Sequence, residues 1–169
     1  MNWELIAQGL VSTLTGRMVL AAVSAVVLHE LGHLLFGRIA GVPILGVVIG
    51  EGRRLFGWRI GAITFAVHAI PFSGYVEHDE YDGGPLTTAV LAAGGIAVNL
   101  LVGMSSLAFY LSGEPHWLDR MLWAIALAHL GLAAWNLVPR QFEDGNKSDG
   151  LLMWDAWRSA RRDKAAAGQ

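Results

Sequence analysis

Apolar positions along this chain gather into three long blocks, and short alternating stretches separate the first block from the second. The first block, approximately residues 18–39, holds Glu30 as its one formal charge before Arg38. The second, 86–111, has no charged residue in 26 positions, and the third, 119–138, carries no formal charge from 121 onward. A hydrocarbon core takes about 20 residues of helix, so each block is predicted to span a membrane, the third at the short limit. Residues 42–77 follow a different pattern. Arg53, Arg54 and Arg59 interrupt them, β-branched and aromatic residues are frequent, and glycines fall at the breaks. That pattern predicts short strands at 44–49, 55–60, 62–70 and 74–77. Residues 77–84 read as an acidic turn, and Pro85 suits the start of the second span. Upstream, Ile6, Leu10 and Leu14 stand four apart, as in a short interfacial helix or an extension of the first span. Downstream of Ser148, Leu151, Leu152, Trp154 and Trp157 precede a basic end, which predicts a C-terminal interfacial helix.

Composition agrees with a membrane protein. Hydrophobic residues make up 54% and charged residues 15%, against roughly 25% charged in soluble domains. A disordered chain is excluded, and an ordinary soluble globule is disfavoured. The absence of cysteine removes disulfides, thiolate metal sites and a cysteine nucleophile. A net charge of −2 offers nothing to nucleic acid. The first block continues through a polar cluster without a small-residue cleavage site, unlike a signal peptide. With three spans and the N-terminus outside, ten Lys and Arg fall on the inner side and only Arg17 and Arg120 on the outer. The positive-inside rule then predicts a cytoplasmic C-terminus.

The chemistry lies inside the first block, at His29-Glu30-Leu31-Gly32-His33. Histidines at i and i+4 share one helix face, so both imidazoles can reach one metal. Glu30, beside them, can act as general base toward a water polarised by that metal. Ionisable groups cost roughly 2.5–3.5 kcal/mol each at the centre of a span, so a cluster of them calls for a function. Zinc takes a third protein ligand and keeps a position open for water. His68, His78, His129, Asp144 and Asp149 are the candidates. The Asp144-Gly145 and Ser148-Asp149-Gly150 stretch follows the third span at the end where His29 and His33 lie. Ser148 there is placed to cap a helix with Asp149 in its first turn.

These residues resemble the site-2 protease family of intramembrane zinc metalloproteases. His29–His33 in a span is the first match. Ala92-Ala93-Gly94-Gly95-Ile96-Ala97-Val98-Asn99 resembles the family's glycine-rich second motif, with Gly95 where proline is usual. Asn136-Leu137-Val138-Pro139 with a downstream Asp-Gly resembles the third. The segments 53–58 and 70–76 resemble the family's membrane-associated hairpin. The likeness covers roughly residues 18–155. It implies zinc as cofactor, and substrate-binding roles for Asn99 and Asn136. The family's usual spacing from Asn136 would select Asp144 as the third ligand. Asp149 is preferred here, because Asp149-Gly150 runs directly into the apolar stretch 151–154, as a rigid helix start should; Asp144 remains the alternative. His129, on the face of Asn136, is expected to be a hydrogen-bonded interior residue.

The expectation is therefore a single membrane-embedded domain over 1–169, mainly helical. It has a three-span core, a small β segment after the first span and an interfacial C-terminal helix. It would cleave transmembrane segments of other membrane proteins, with His29, His33 and Asp149 on zinc and Glu30 as base. No additional domain is recognisable. The rival is an inactive protein of the same fold that binds or chaperones a partner, and the intact Glu30 argues against it.

Overall fold

The computed structural model describes residues 4, 9, 12–81, 83–113, 119–143 and 145–167. Their order is helix α1 (Leu14–Ile39), strands β1 (Ile44–Ile60) and β2 (Ile63–His78), then helices α2 (Pro85–Leu111), α3 (Asp119–Leu137) and α4 (Asp149–Ala167). The Thr13 hydroxyl accepts from the Gly16 amide at 3.1 Å and caps α1, so the first helix starts four residues before the predicted block. It stops at Gly41, whose φ of 80° is left-handed and which glycine adopts without a Cβ penalty. Pro85 opens α2 as expected. Most of the proposed 1–16 interfacial helix lies outside the described residues.

Among the described residues two helices, α1 and α2, are long and apolar enough to cross a membrane, with mean hydropathies of 1.8 and 1.9. Helix α3 has 19 residues, roughly 28 Å at 1.5 Å per residue, and opens on Asp119 and Arg120. The helices pack with their polar side chains inward. His29, Glu30, His33, Asn99 and His129 are buried, whereas Leu35, Leu101, Met104, Phe109, Leu127 and Trp135 are exposed. That inversion suits a lipid surround, because polar groups must then find partners inside the bundle. Glycines make the packing close. A Cβ on Gly32 would strike the Gly94 carbonyl, and one on Gly94 would strike that of Gly32, so α1 and α2 meet backbone to backbone.

The strands form one sheet, joined by an antiparallel hairpin turn. Its pairing is doubled: residues 56–60 fold back antiparallel on 63–67, while 46–49 run in the same direction as their partners 64–67 and antiparallel to 74–77. β1 bends between these halves at Gly50 and Gly52, with φ of 85° and 81°. The four predicted strand segments are therefore present as bent parts of two long strands. Val47, Ile49 and Ile63 pack on Val26 of α1, which fixes the inner half of the hairpin to the helix that carries the histidines. Residues 74–77 pair on one side only among the described residues and so make an edge.

Candidate metal centre

Helix periodicity puts the His29 and His33 rings edge to face, with centroids 4.6 Å apart. Their Nε2 atoms stand 3.1 Å from each other. Asp149 approaches from α4: its Oδ2 is 3.0 Å from His29 Nε2 and its Oδ1 is 3.4 Å from His33 Nε2. All three side chains are buried, and their ligand-type atoms lie within 4.8 Å of one another.

The donor set fits a metal cation. His33 Nδ1 is 2.8 Å from the Leu91 carbonyl; a carbonyl only accepts, so Nδ1 carries the hydrogen and Nε2 is left with its lone pair. Asp149 Oδ2 is buried and accepts no hydrogen bond. Burial pushes the Asp149 carboxyl up, but the facing imidazoles outweigh this and hold it below the usual carboxylate range. Ligands about 2.0–2.2 Å from zinc stand about 3.3–3.6 Å apart in a tetrahedron; the separations here, 3.0 Å to Asp149 Oδ2, 3.1 Å between the imidazoles and 3.4 Å to Asp149 Oδ1, lie at or slightly inside that range.

Local structure explains why Asp149 is held firmly. The Ser148 hydroxyl donates to the Val138 carbonyl at 2.8 Å and accepts from the Arg140 amide at 2.9 Å and the Leu151 amide at 3.3 Å. It thus caps α4 and ties its first turn to the end of α3. Gly150 has no room for a Cβ against the Leu137 carbonyl, so the first turn of α4 lies flush on that end. Asp144, the alternative ligand, lies outside the described residues. His68 and His78 belong to β2 and do not join the cluster; His78 is exposed and lines the wider cavity on which the cluster opens.

A cavity of about 970 Å³ opens on the cluster, lined among others by Glu30, Tyr75, Asn136 and Phe142. Glu30 reaches toward the hairpin edge: a Cβ on Gly74 would come within 2.6 Å of Glu30 Cγ and 2.9 Å of Oε1. Asn136 donates to the Leu132 carbonyl at 3.2 Å while facing the cavity. Asn99 does not line it. It is fully buried, with Nδ2 3.2 Å from His29 Nδ1 and Oδ1 3.0 Å from His129 Nδ1. Gly95, legible in the sequence only as a glycine in a proline position, lies beneath both rings: a Cβ there would sit 2.6 Å from both His29 Cε1 and His33 Nε2.

Similarity to known proteins points the same way. The profile of Peptidase family M50 matches residues 17–120. A Clostridium perfringens protein provisionally named a zinc metalloprotease is 38% identical over 68 residues, 37% of this chain and 20% of that protein. One of the same provisional name from Chlamydia pneumoniae is 44% identical over 52 residues, 31% and 8% of the two chains. A third, from Thermotoga maritima, is 36% identical over 59 residues, 35% and 12%. The matched region thus spans between 8% and 20% of these relatives' own lengths.

Proposed function

Since this chain belongs to peptidase family M50, we propose that it is a zinc-dependent endopeptidase that cuts peptide bonds in or near transmembrane segments of other membrane proteins. The observation that carries this is the convergence of His29, His33 and Asp149, all buried, on a cavity that Glu30 also lines. These three residues would hold zinc, which when bound supplies Lewis acidity and makes water acidic enough to ionise near neutral pH. Glu30 takes the proton from the attacking water and passes it to the leaving amine. Asn136, which also lines the cavity, would bind the substrate backbone. The inactive-binder alternative has no use for a carboxylate beside the cluster.

A transmembrane helix must unwind locally to be cut, because its carbonyls are already hydrogen-bonded. The edge at residues 74–77, which touches Glu30 at Gly74, offers the freed backbone a strand to pair with. In this reading 1–169 acts as one membrane-embedded domain. α3 is a third span beside α1 and α2, and α4 lies along the inner interface. The stacked Trp154 and Trp157, 4.9 Å between centroids, sit there under Arg158 and Arg161. The Lys and Arg distribution supports a cytoplasmic C-terminus; a reporter fused after Gln169 should read as cytoplasmic, and an external readout would invert the topology.

The deciding experiment is Glu30→Gln. The purified variant should keep about one zinc per chain and lose cleavage of a membrane-embedded peptide by about 10²–10⁴-fold. Undiminished turnover would remove Glu30 from the chemistry.

A further inference from the structure

His29 has a second ring nitrogen, and the fold gives it a partner. Nδ1 faces the Asn99 amide at 3.2 Å, the other end of that amide is 3.0 Å from His129 Nδ1, and His129 Nε2 is 3.3 Å from Ser24 Oγ. The Ser24 hydroxyl donates to the Ala21 carbonyl at 2.8 Å. Asn99 and His129 have no exposed surface. The chain of contacts leaves α1 at His29, crosses α2 and α3, and returns to α1 at Ser24.

Counting hydrogens gives this chain a direction. A metal ligand presents a lone pair, so with zinc on Nε2 the hydrogen of His29 sits on Nδ1 and is donated. Asn99 must then offer Oδ1 to His29 and Nδ2 to His129; a half-turn of the amide exchanges the two in the same space. His129 Nδ1 accepts, its Nε2 hydrogen goes to Ser24 Oγ, and the Ser24 hydrogen goes to Ala21. The hydrogens of His29, His129 and Ser24 and one of the two Asn99 amide hydrogens each then find an acceptor, and His129 stays neutral. With the amide turned the other way, an N–H points at His29 Nδ1 and the imidazole hydrogen moves to Nε2, toward His33 Nε2 at 3.1 Å. That arrangement suits a metal-free site and opposes a loaded one.

We propose that Asn99, His129 and Ser24 form a buried positioning relay that holds His29 in its Nδ1–H form for metal binding, with the Asn99 amide reversing as the site loads. The relay rests on the zinc reading given above. It makes His129 a positioning residue rather than a ligand, and it gives Asn99 work away from the substrate.

The first test needs no variant. Side-chain ¹⁵N shifts of labelled histidines in the full chain, in lipid nanodiscs, should show hydrogen on His29 Nδ1 and His129 Nε2 with zinc bound, and on His29 Nε2 without it. Zinc bound with no hydrogen on His29 Nδ1 overturns the relay alone; a chain that takes up no zinc overturns the metalloprotease reading and the relay with it. The second test is zinc affinity by chelator competition. His129→Leu removes both hydrogen-bonding atoms and should weaken binding about 10–100-fold, the usual cost of losing a ligand's supporting partner. His129→Gln keeps an acceptor and a donor and should restore most of it. Wild-type affinity in the Leu variant, or equal losses in both, overturns the proposal.

Discussion

The metal centre and the outer half of the hairpin are built on opposite terms. At the centre His29, Glu30, His33 and Asp149 are buried, and helices touch through Gly32, Gly94, Gly95 and Gly150. From Glu51 to Ile60 every residue is exposed, Leu55, Phe56, Trp58 and Ile60 among them, and contacts are made within the hairpin itself, as in the stacking of Trp58 on Phe65 at 5.4 Å. Between these extremes lies the edge at 74–77, paired to the sheet on one side and set against Glu30. The difference separates two tasks. Chemistry requires ligand positions that hold within a few tenths of an ångström, and close helix contacts supply them. Capture of an unwound segment requires unpaired backbone, which a closely packed bundle does not offer.

The largest effect should come from the centre. His29→Ala, His33→Ala or Asp149→Asn should each weaken zinc binding by more than the roughly 100-fold that loss of a supporting partner costs, measured by chelator competition. Asp144→Asn should be nearly silent. Full zinc affinity in Asp149→Asn together with its loss in Asp144→Asn would transfer the ligand. Next comes the packing beneath the rings. Gly95→Ala places a methyl 2.6 Å from both imidazoles, and overpacking of this kind costs about 1–3 kcal/mol. Its melting temperature and zinc affinity should fall together; a fall in stability with affinity unchanged would show that the rings yield without leaving the metal. The smallest effect belongs to the edge. A Pro scan over residues 74–77 removes one backbone donor at a time, about 1 kcal/mol per lost bond. At one position kcat/KM should drop several-fold with zinc retained. If all four variants cleave normally, strand addition at this edge is wrong, and the contrast between a rigid centre and a pairing edge loses its functional meaning.

The Ser148 cap was legible before the fold was known, because a serine ahead of Asp-Gly and an apolar run is a local signal. The choice between Asp144 and Asp149 also leaned on that signal, against the family's usual spacing. The edge at 74–77 was legible as a strand but not as a neighbour of Glu30, since its placement depends on the bend at Gly50 and Gly52 and on the packing of β1 against Val26. Asn99 illustrates the limit. Its isolation in an apolar span announced a need for partners, and the family resemblance suggested a substrate. The partners turned out to be His29 and His129, which are 70 and 30 residues away along the chain.

What this sequence determined by itself is what a few consecutive residues can determine: the i, i+4 histidine pair with Glu30 beside it, the apolar helices long enough to cross a bilayer, the glycine-broken strands, and membership of a protease family read from three motifs in order. Helical and extended periodicities act over one or two turns, so such features survive without the rest of the chain. The tertiary structure alone brought Asp149 within 3.4 Å of a histidine 116 positions earlier, laid Gly95 under both rings, and linked Ser24 to His29 through two other helices. Those outcomes depend on how closely helix backbones approach, which is set jointly by glycines on facing surfaces, and no single stretch of sequence contains both sides of such a contact.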